Sequence, residues 1–491
     1  MIDTQAIRNK VLDLALNGQL TEQLPEDGTA EELYQQIQEE KQKLIKEGKV
    51  NKQKQLPEIA AEEIPFEIPN NWKWIRWGEL SFRIQYGYNA PAQQTGRIKM
   101  VRITDIQNNK VIWESVPYCD IDQERIEEYQ LEPNNILFAR TGGTVGKSFL
   151  VEKVENEAVF AGYLIRTSFS SMLSAKYMKY FMESQLYWKQ LRDGTTATAQ
   201  PNCNAKTLSK MMVPLPPFAE QVRIVEKIDK TFSILDTIDE LQSKYTDNLS
   251  VLKSKLIDAA IQGKLTEQLS DDGTAEELFQ QIQKEKQKLI NEGKIKKEKA
   301  LPEISEEEIP FKIPANWKWV RLGEYCQKVT DQVASGSFAS LRENVRSLKT
   351  PDYAIMVKTS DFANGFTENL TYTDKHGYEF LANSNLFGGE LILSNVGSVG
   401  KIFIVPKLKK KMTLAPNAVM VKMVQEEGKD FLYYFLLSAQ GNKELEAIST
   451  GIAVKKFNKT ELKKILIPLP PASEQKRIVR KINELISIFE A

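Results

Sequence analysis

Histidine and cysteine are nearly missing from this chain. Its 491 residues hold one histidine, His376, and three cysteines, Cys119, Cys203 and Cys326, far apart in sequence. A metal site built on His and Cys needs ligands at short, regular spacings, and this sequence has none. A single histidine with no matching cluster also argues against triad chemistry. His376, beside Gly377, reads as a loop residue. No apolar run reaches about 18 residues, the length that spans a bilayer. The start, Met1-Ile2-Asp3-Thr4-Gln5, lacks the charged-then-apolar order of a signal peptide. The expectation is a cytoplasmic protein with reduced thiols and no membrane partner.

Net charge is missing as well: 66 basic residues stand against 66 acidic ones. That zero hides an asymmetry. Residues 66–213 carry a surplus of +3 and residues 311–467 one of +7, while the remainder carries −10. Basic segments suit an anionic partner such as nucleic acid. A surplus of +3 is ordinary for a protein surface, so the second segment carries more of that weight.

What the chain does have is repetition. Gly18–Glu79 aligns with Gly263–Glu324 without a gap, and 46 of 62 positions are identical. Pro214-Leu215-Pro216-Pro217…Glu220-Gln221…Arg223-Ile224-Val225 recurs as Pro468-Leu469-Pro470-Pro471…Glu474-Gln475…Arg477-Ile478-Val479. The head and tail of the chain together rebuild what its middle already contains. The period is far too long for a solenoid unit, so the pattern is two lobes, circularly arranged.

The repeated parts read as helix followed by extended linker. Residues 1–17 place Ile7, Val11 and Leu14 on one face, with Gly18 as the stop. Thr29-Ala30-Glu31-Glu32 is a capping-box pattern opening a helix with Leu33, Ile37 and Leu44 inward and Gly48 at its end. A Lys-rich strip, Lys49–Lys54, leads into a proline-bearing extended segment up to Pro69, and Trp72–Arg76 alternates like a strand. The stretch Phe218–Gln262 contains neither Gly nor Pro. Its apolar residues Val225, Ile228, Phe232, Leu235, Ile238, Leu241, Tyr245, Leu249, Leu252 and Leu256 recur at intervals of three and four. That predicts one long helix with a coiled-coil seam. Val479, Ile482, Ile486 and Phe489, with Ile7, Val11 and Leu14, can supply the opposing seam.

The basic segments are different. Lys99–Ile106, Asn135–Ala139, Ser148–Val151 and Val159–Arg166 read as strands, with turns at Gly142-Gly143 and Gly146 and helices near Ser174–Arg192. Residues 320–467 repeat the plan loosely. Val101–Ile106 parallels Val357–Phe362, Thr144–Lys147 parallels Ser398–Lys401, and Asn204 and Leu208 parallel Asn458 and Leu462. The fold class expected is α+β: two mixed, β-rich domains separated by long antiparallel coiled-coil helices, with a pseudo-two-fold, circular repeat. The segments are 1–64, an N-terminal helical spacer; 65–213, a first recognition domain; 214–309, a central region with the long spacer helix; 310–467, a second recognition domain; and 468–491, a C-terminal spacer helix.

Catalytic motifs fail on inspection. Gly142-Gly143-Thr144-Val145-Gly146-Lys147-Ser148 is one residue short of a phosphate-binding loop, and its copy has Ile402 where a hydroxyl is required. Asp105 and Asp361 are equivalent, and a lone repeated acid at a strand end reads as structural. Glu39-Glu40-Lys41 offers a Glu-x-Lys on a helix, which reads as surface charge. No amino-methyltransferase motif occurs; Pro216-Pro217-Phe218 follows leucine and lies in a spacer.

The doubled Glu-Ile-Pro-Phe-x-Ile-Pro…Asn-Trp-Lys-Trp and Pro-Leu-Pro-Pro…Glu-Gln…Arg-Ile-Val segments, and the alternation of spacer and variable domain, resemble the specificity subunit of type I restriction–modification enzymes over essentially the whole chain. The resemblance implies a non-enzymatic subunit with no cofactor, in which two target-recognition domains each read half of a split, asymmetric site on double-stranded DNA. It implies that the spacers set the distance between halves and dock two methyltransferase subunits, and that restriction subunits can join. The residues alone leave two other readings open: a coiled-coil scaffold unrelated to DNA, and a nucleotide hydrolase using the Gly142 loop.

Base-edge reading uses Arg on guanine and Asn or Gln on adenine, with phosphate contacts setting register. The candidates in the first domain are Arg83, Tyr86, Tyr88, Asn89, Gln93, Arg97, Lys99 and Arg102, with Lys147 on phosphate and Thr195, Thr196, Thr198 and Gln200 in a polar loop. In the second domain they are Arg342, Arg346, Lys349, Lys358, Lys401, Lys455 and Lys456.

Overall fold

The computed structural model describes residues 1–107, 109–194, 203–397, 399–451 and 454–490. The chain divides into two units, Met1–Ser243 and Lys244–Ala491. Each is α+β, and each is built on the same plan. The helix Phe218–Ile261, 44 residues long, begins in the first and ends in the second. At 1.5 Å per residue it is about 66 Å long.

In the first unit, the helix Thr4–Leu16 ends at Gly18, whose φ of +69° is a left-handed conformation that only glycine adopts without strain. A Cβ there would lie 2.3 Å from Pro69 Cγ. Gly18 therefore both stops the helix and lets the proline-bearing linker close over it. The next helix, Ala30–Lys46, has the expected capping box: the Glu32 backbone N–H donates to Thr29 Oγ1 at 3.2 Å, and Thr29 N–H donates to Glu32 Oε2 at 3.0 Å. Leu33 and Ile37 are buried on its inner face.

The repeated sequence then explains itself as a set of locks. Strand Lys73–Arg76 pairs antiparallel with Met212–Leu215, opposing Trp74 to Pro214. Arg76 is buried and donates to the carbonyls of Pro57, Lys210 and Glu58 and to the Glu63 carboxylate, which fixes the linker. Glu220, fully buried, accepts from Trp72 Nε1 at 2.8 Å, Gln23 Nε2 at 2.9 Å and Thr21 Oγ1 at 3.1 Å. Gln221 accepts from Ser174 N–H and donates to the Pro216 carbonyl. Arg223 grips Asp27 with both guanidinium nitrogens and holds that carboxyl below its usual range. Thr21, Gln23, Asp27, Trp72, Arg76, Glu220, Gln221 and Arg223 all belong to the doubled segments, and Ser174 and Lys210 tie them to the domain between.

The second unit repeats the set. Arg321 donates to the carbonyls of Pro302, Lys464 and Glu303 and to Glu308. Glu474 accepts from Trp317, Gln268 and Thr266, Gln475 bonds Tyr325 and the Pro470 carbonyl, and Arg477 grips Asp272. Gly263, at φ +72°, stops the long helix against Pro314 as Gly18 does against Pro69.

The β-rich part of the first unit carries an antiparallel sheet in the order Ser81–Tyr86, Leu164–Phe169, Ile136–Ala139, Ser148–Leu150. Beside it is a three-stranded sheet, Tyr118–Cys119, Ile98–Val101, Ala158–Phe160, with the last pair parallel. The second unit has Cys326–Asp331, Ala418–Met423, Leu391–Ser394, Ile402–Ile404, and a four-stranded sheet of Tyr372–Thr373, Ala354–Val357, Lys411–Leu414 and Asn385–Leu386.

Several expectations need correction. Lys99–Ile106 is not one strand: it stops at Val101 and becomes a 3-10 turn, Ile103–Asp105. Val159–Arg166 is two strands in two sheets, divided at Ala161–Tyr163. A 3-10 turn, Ala61–Glu63, interrupts the extended linker. Short helices at Gln123–Tyr129 and Ala205–Lys210 were not expected; the second is capped by Asn204, and its buried Leu208 anchors it. Their brevity hides them from periodicity, which needs more than two turns. His376 lies in a helix, Lys375–Phe380, with Nε2 2.9 Å from Asn344 Oδ1. Lys41 is no surface charge: it is buried and donates to Gln53 Oε1 at 3.0 Å and the Gly78 carbonyl at 3.1 Å, and burial pushes its pKa down to about 8.

The seam of the long helix also differs. Thr4–Leu16 runs antiparallel to its first half, with Thr4 bonded to Asp239 and Arg8 to Asp236 and Asp239. Val11, Leu12, Ala15 and Leu16 are the buried face of that helix, while Ile7 is exposed. In the second unit Ile257, Ala260 and Ile261 share a core with Ile478 and Ile482 of the helix Ala472–Glu490. Leu241, Tyr245 and Leu252, expected in the seam, are 59%, 58% and 45% exposed.

Two predictions follow from these locks. Replacing Glu220 or Glu474 by Ala strands the buried indole N–H of Trp72 or Trp317 and removes three hydrogen bonds, so each variant loses about 3 kcal/mol in urea unfolding; a loss under about 1 kcal/mol removes the carboxylate from this role. Asp27 and Asp272 have lowered pKa values, each because of the arginine it bonds. Their contribution is therefore complete above the unfolded carboxyl pKa of about 3.9 and fades as pH falls through the lower folded value. Asp27→Asn lowers the melting temperature by a constant amount between about pH 5 and 7, and the difference shrinks below about pH 4; a difference that grows on acidification contradicts the assignment.

Candidate nucleic-acid interface

The candidate residues fall into two groups: those free to meet a ligand and those already engaged. Arg102 sits where a strand turns into the Ile103–Asp105 turn. Its Nε and Nη2 meet Asp105 Oδ2 and Oδ1 at 3.0 and 2.8 Å, and Asp105 is buried. The carboxylate raises the guanidinium pKa. Lys358 repeats this with Asp361 at 3.5 Å and adds the Asn369 carbonyl at 3.1 Å. In both turns the aspartate also accepts the backbone N–H of the basic residue, which explains why the pair is duplicated. Lys99 is held by the Trp113 carbonyl at 2.6 Å. Tyr88 is packed between Tyr129 and the Arg125 guanidinium.

Others face solvent. Arg83 is exposed on the edge strand and donates to the Lys49 carbonyl. Arg97 is exposed and bonds Gln123. Asn89 and Lys147 are exposed. Gln93 pairs through its backbone with Tyr118. Thr195, Thr196, Thr198 and Gln200 lie outside the described residues. In the second unit Arg342, Lys349, Lys401 and Lys456 are exposed, Arg346 reaches Asp374 at 4.0 Å, and Lys455 pairs with Glu446.

Tyr86 marks a focus that sequence reading only half found. Arg140 lies 4.8 Å over its ring, and its hydroxyl accepts from Ala205 N–H at 3.1 Å. Arg140 also carries a buried Nε without a partner. It directly precedes the Gly142 turn, and that adjacency was the signal available. Gly142 and Gly146, at φ +76° and +90°, shape that turn, and a Cβ on Gly146 would strike Leu191 and Trp188. The loop is therefore a tight turn packed on a helix, and the positive φ of Gly146 recurs at Gly400. In the second unit Lys410 and Lys411 stack over Tyr372 and Tyr353, and Phe387 is exposed beside Lys422. None of these was singled out, because no short motif surrounds them.

Among the described residues no group of three or more His, Cys, Asp or Glu could hold a metal ion. The three cysteines are buried, and burial pushes the Cys203 thiol up to about 12. No described helix is long and apolar enough to cross a membrane.

Two β-rich lobes, each with basic and aromatic side chains at strand ends and turns, and both tied to one repeated helical frame, define the class. The chain belongs to the family of type I restriction modification DNA specificity domains, whose model matches residues 69–244 and again 314–491. It is thereby a specificity subunit of a type I restriction–modification system. It is 26% identical to the type I restriction enzyme EcoAI specificity subunit of Escherichia coli, over 98% of this chain and 88% of that one. It is 25% identical to the EcoEI specificity subunit of the same species, over 99% and 89%. A solved chain, from work on complex assembly and conformational transition of the type I system, has the same fold, with a TM-score of 0.57 over 87% of this chain and 93% of that one at 17% identity.

The engaged and free groups behave differently on substitution. Arg102→Ala leaves the buried Asp105 charge without its partner and lowers stability by about 2 kcal/mol, allowing for the half-exposed guanidinium. Arg97→Ala changes it by under about 0.5 kcal/mol. Thermal unfolding of the two variants decides; equal effects would mean that the Arg102 fork is not structural.

Proposed function

We propose that this subunit selects DNA sequence for a type I complex by placing two unlike readers on one duplex, and that it carries no catalytic step itself. The observation that carries the reading is the duplication. The frame, with its Glu220 and Glu474 locks, is kept nearly residue for residue, while the β-rich domains it holds have diverged. A constant frame bearing variable basic domains fits the recognition of two different short words. Segments 65–213 and 310–467 are the two readers; 1–64, 214–309 and 468–491 form the spacers.

The long helix Phe218–Ile261 is the ruler between them, paired in antiparallel coiled-coil fashion by the head and tail helices. Its exposed apolar residues, Leu241, Tyr245 and Leu252, suit contact with two methyltransferase subunits, which bring the chemistry; restriction subunits complete the nuclease form. Two readers on one side of a duplex would contact words about one turn, roughly 34–36 Å, apart. The base readers are Arg83, Tyr86, Asn89, Arg97, Arg342 and Lys349, with Lys147, Lys401 and Lys456 on phosphate.

The test is a map of methylated adenines in a host carrying the chain and its modification subunits. The expected result is a split, asymmetric site; a continuous or palindromic site sinks the two-reader scheme. Inserting four helical residues after Asp247 lengthens the rod by about 6 Å. The gap between the two words should then widen while both words stay unchanged, and an unaltered gap would remove the ruler.

A further inference from the structure

The second unit contains a group of cations that its own structure leaves uncompensated. Lys328 and Lys422 stand directly opposite each other on paired antiparallel strands. Like charges at such a position destabilise a sheet. Both side chains are half-buried. Burial lowers the Lys328 pKa, and Lys422, Lys296 and Lys459 lower it further. Nearby acids are already committed: Asp331 to Lys459 at 2.8 Å and Glu298 to Lys463 at 2.6 Å. Among the described residues Lys328 donates to the Asn383 carbonyl, at 2.8 Å, and meets no carboxylate. Lys296, Lys328 and Lys459 border a cleft of about 690 Å³ between the repeated linker and this sheet.

An aromatic ring adjoins the same lysines. Phe387 is 67% exposed, with Lys422 Nζ 5.7 Å from its ring centre. The turn that presents it is fixed from beneath. The buried Glu390 carboxylate accepts from Phe387 N–H at 3.0 Å and Gly388 N–H at 2.9 Å, and Gly388 and Gly389 both have positive φ. A rigid turn thus holds an apolar ring in water beside unpaired cations. The first unit lacks the arrangement: there Arg83 faces Ser168.

We propose that Lys328, Lys422 and Lys296 form a phosphate clamp for the DNA backbone, peculiar to the second unit, with Phe387 packed on the adjoining sugar. The clamp rests on the DNA-reading function. It adds affinity and register without reading bases, and it brings a residue of the repeated linker, Lys296, into contact with nucleic acid. An incoming phosphodiester relieves the repulsion between the two strand lysines, so the cost of crowding them becomes part of the binding energy.

The test uses the full chain with its modification subunits and two labelled duplexes, one carrying the methylated sequence and one of random sequence. Binding is followed by fluorescence anisotropy between 50 and 300 mM salt. Lys328→Gln/Lys422→Gln should weaken both duplexes by the same factor, about tenfold, and flatten the logarithmic salt slope by about one to two. The methylated sequence should stay as it is. The melting temperature should hold or rise, since a repulsive pair is removed; the single variant Lys422→Gln checks that the sheet survives. Phe387→Ala should weaken binding several-fold with the slope unchanged. A wild-type slope in the double variant overturns the clamp. So does a changed methylated sequence, which would make these lysines base readers, or a loss of modification subunits with DNA binding intact, which would make the occupant an acidic protein segment. A wild-type complex with no salt-dependent binding would overturn the DNA reading itself.

Discussion

A carboxylate buried at the start of a helix holds each half of this molecule together. Glu220 accepts from an indole, an amide and a hydroxyl that come from widely separated parts of the chain, and Glu474 does the same in the other unit. A buried charge is costly unless its lone pairs are filled. Here they are filled by Trp72, Gln23 and Thr21, so the spacer helix, the head of the chain and the first strand of the β-rich part must arrive together or not at all. That requirement accounts for the doubled sequence better than any catalytic role. The key residues of the repeated segments each hold a distant part of the chain: glutamine bridges to the β-rich part, arginine grips an aspartate, and glycine admits proline.

The frame leaves the β-rich domains free to change. Their cores keep matching buried residues, among them Val151 and Val405, Phe181 and Phe435, and Leu208 and Leu462, while surface positions change, as Arg83 and Ser168 give way to Lys328 and Lys422. The units also share turn chemistry inside these domains. The Arg102–Asp105 and Lys358–Asp361 turns, the Gly146 and Gly400 turns, and the Asn204 and Asn458 caps set backbone direction while leaving neighbouring surface residues unconstrained. A recognition protein benefits from that division, because a loop can alter its side chains without disturbing the helix that positions it.

Much of this was legible in the sequence. The repeat, the long helix Phe218–Ile261, the capping box at Thr29 and the stops at Gly18 and Gly48 all rest on local rules, and they appear where those rules put them. The candidate site was less legible. Lys99, Arg102 and Lys358 looked like readers and are engaged internally, whereas Phe387 and Lys422 carried no signal. Lys41 looked solvated and is buried.

Sequence alone determined the two-fold plan and the longer helices of the repeated frame with their ends, because helix periodicity, capping and repetition act between residues near one another or identical in kind. Tertiary structure decided which charges are free. Whether a lysine meets a carbonyl, an acid or another lysine depends on strand register between segments distant along the chain, as Lys328 opposite Lys422 shows. No local pattern encodes that register, since it is set by how the buried faces of the sheet pack.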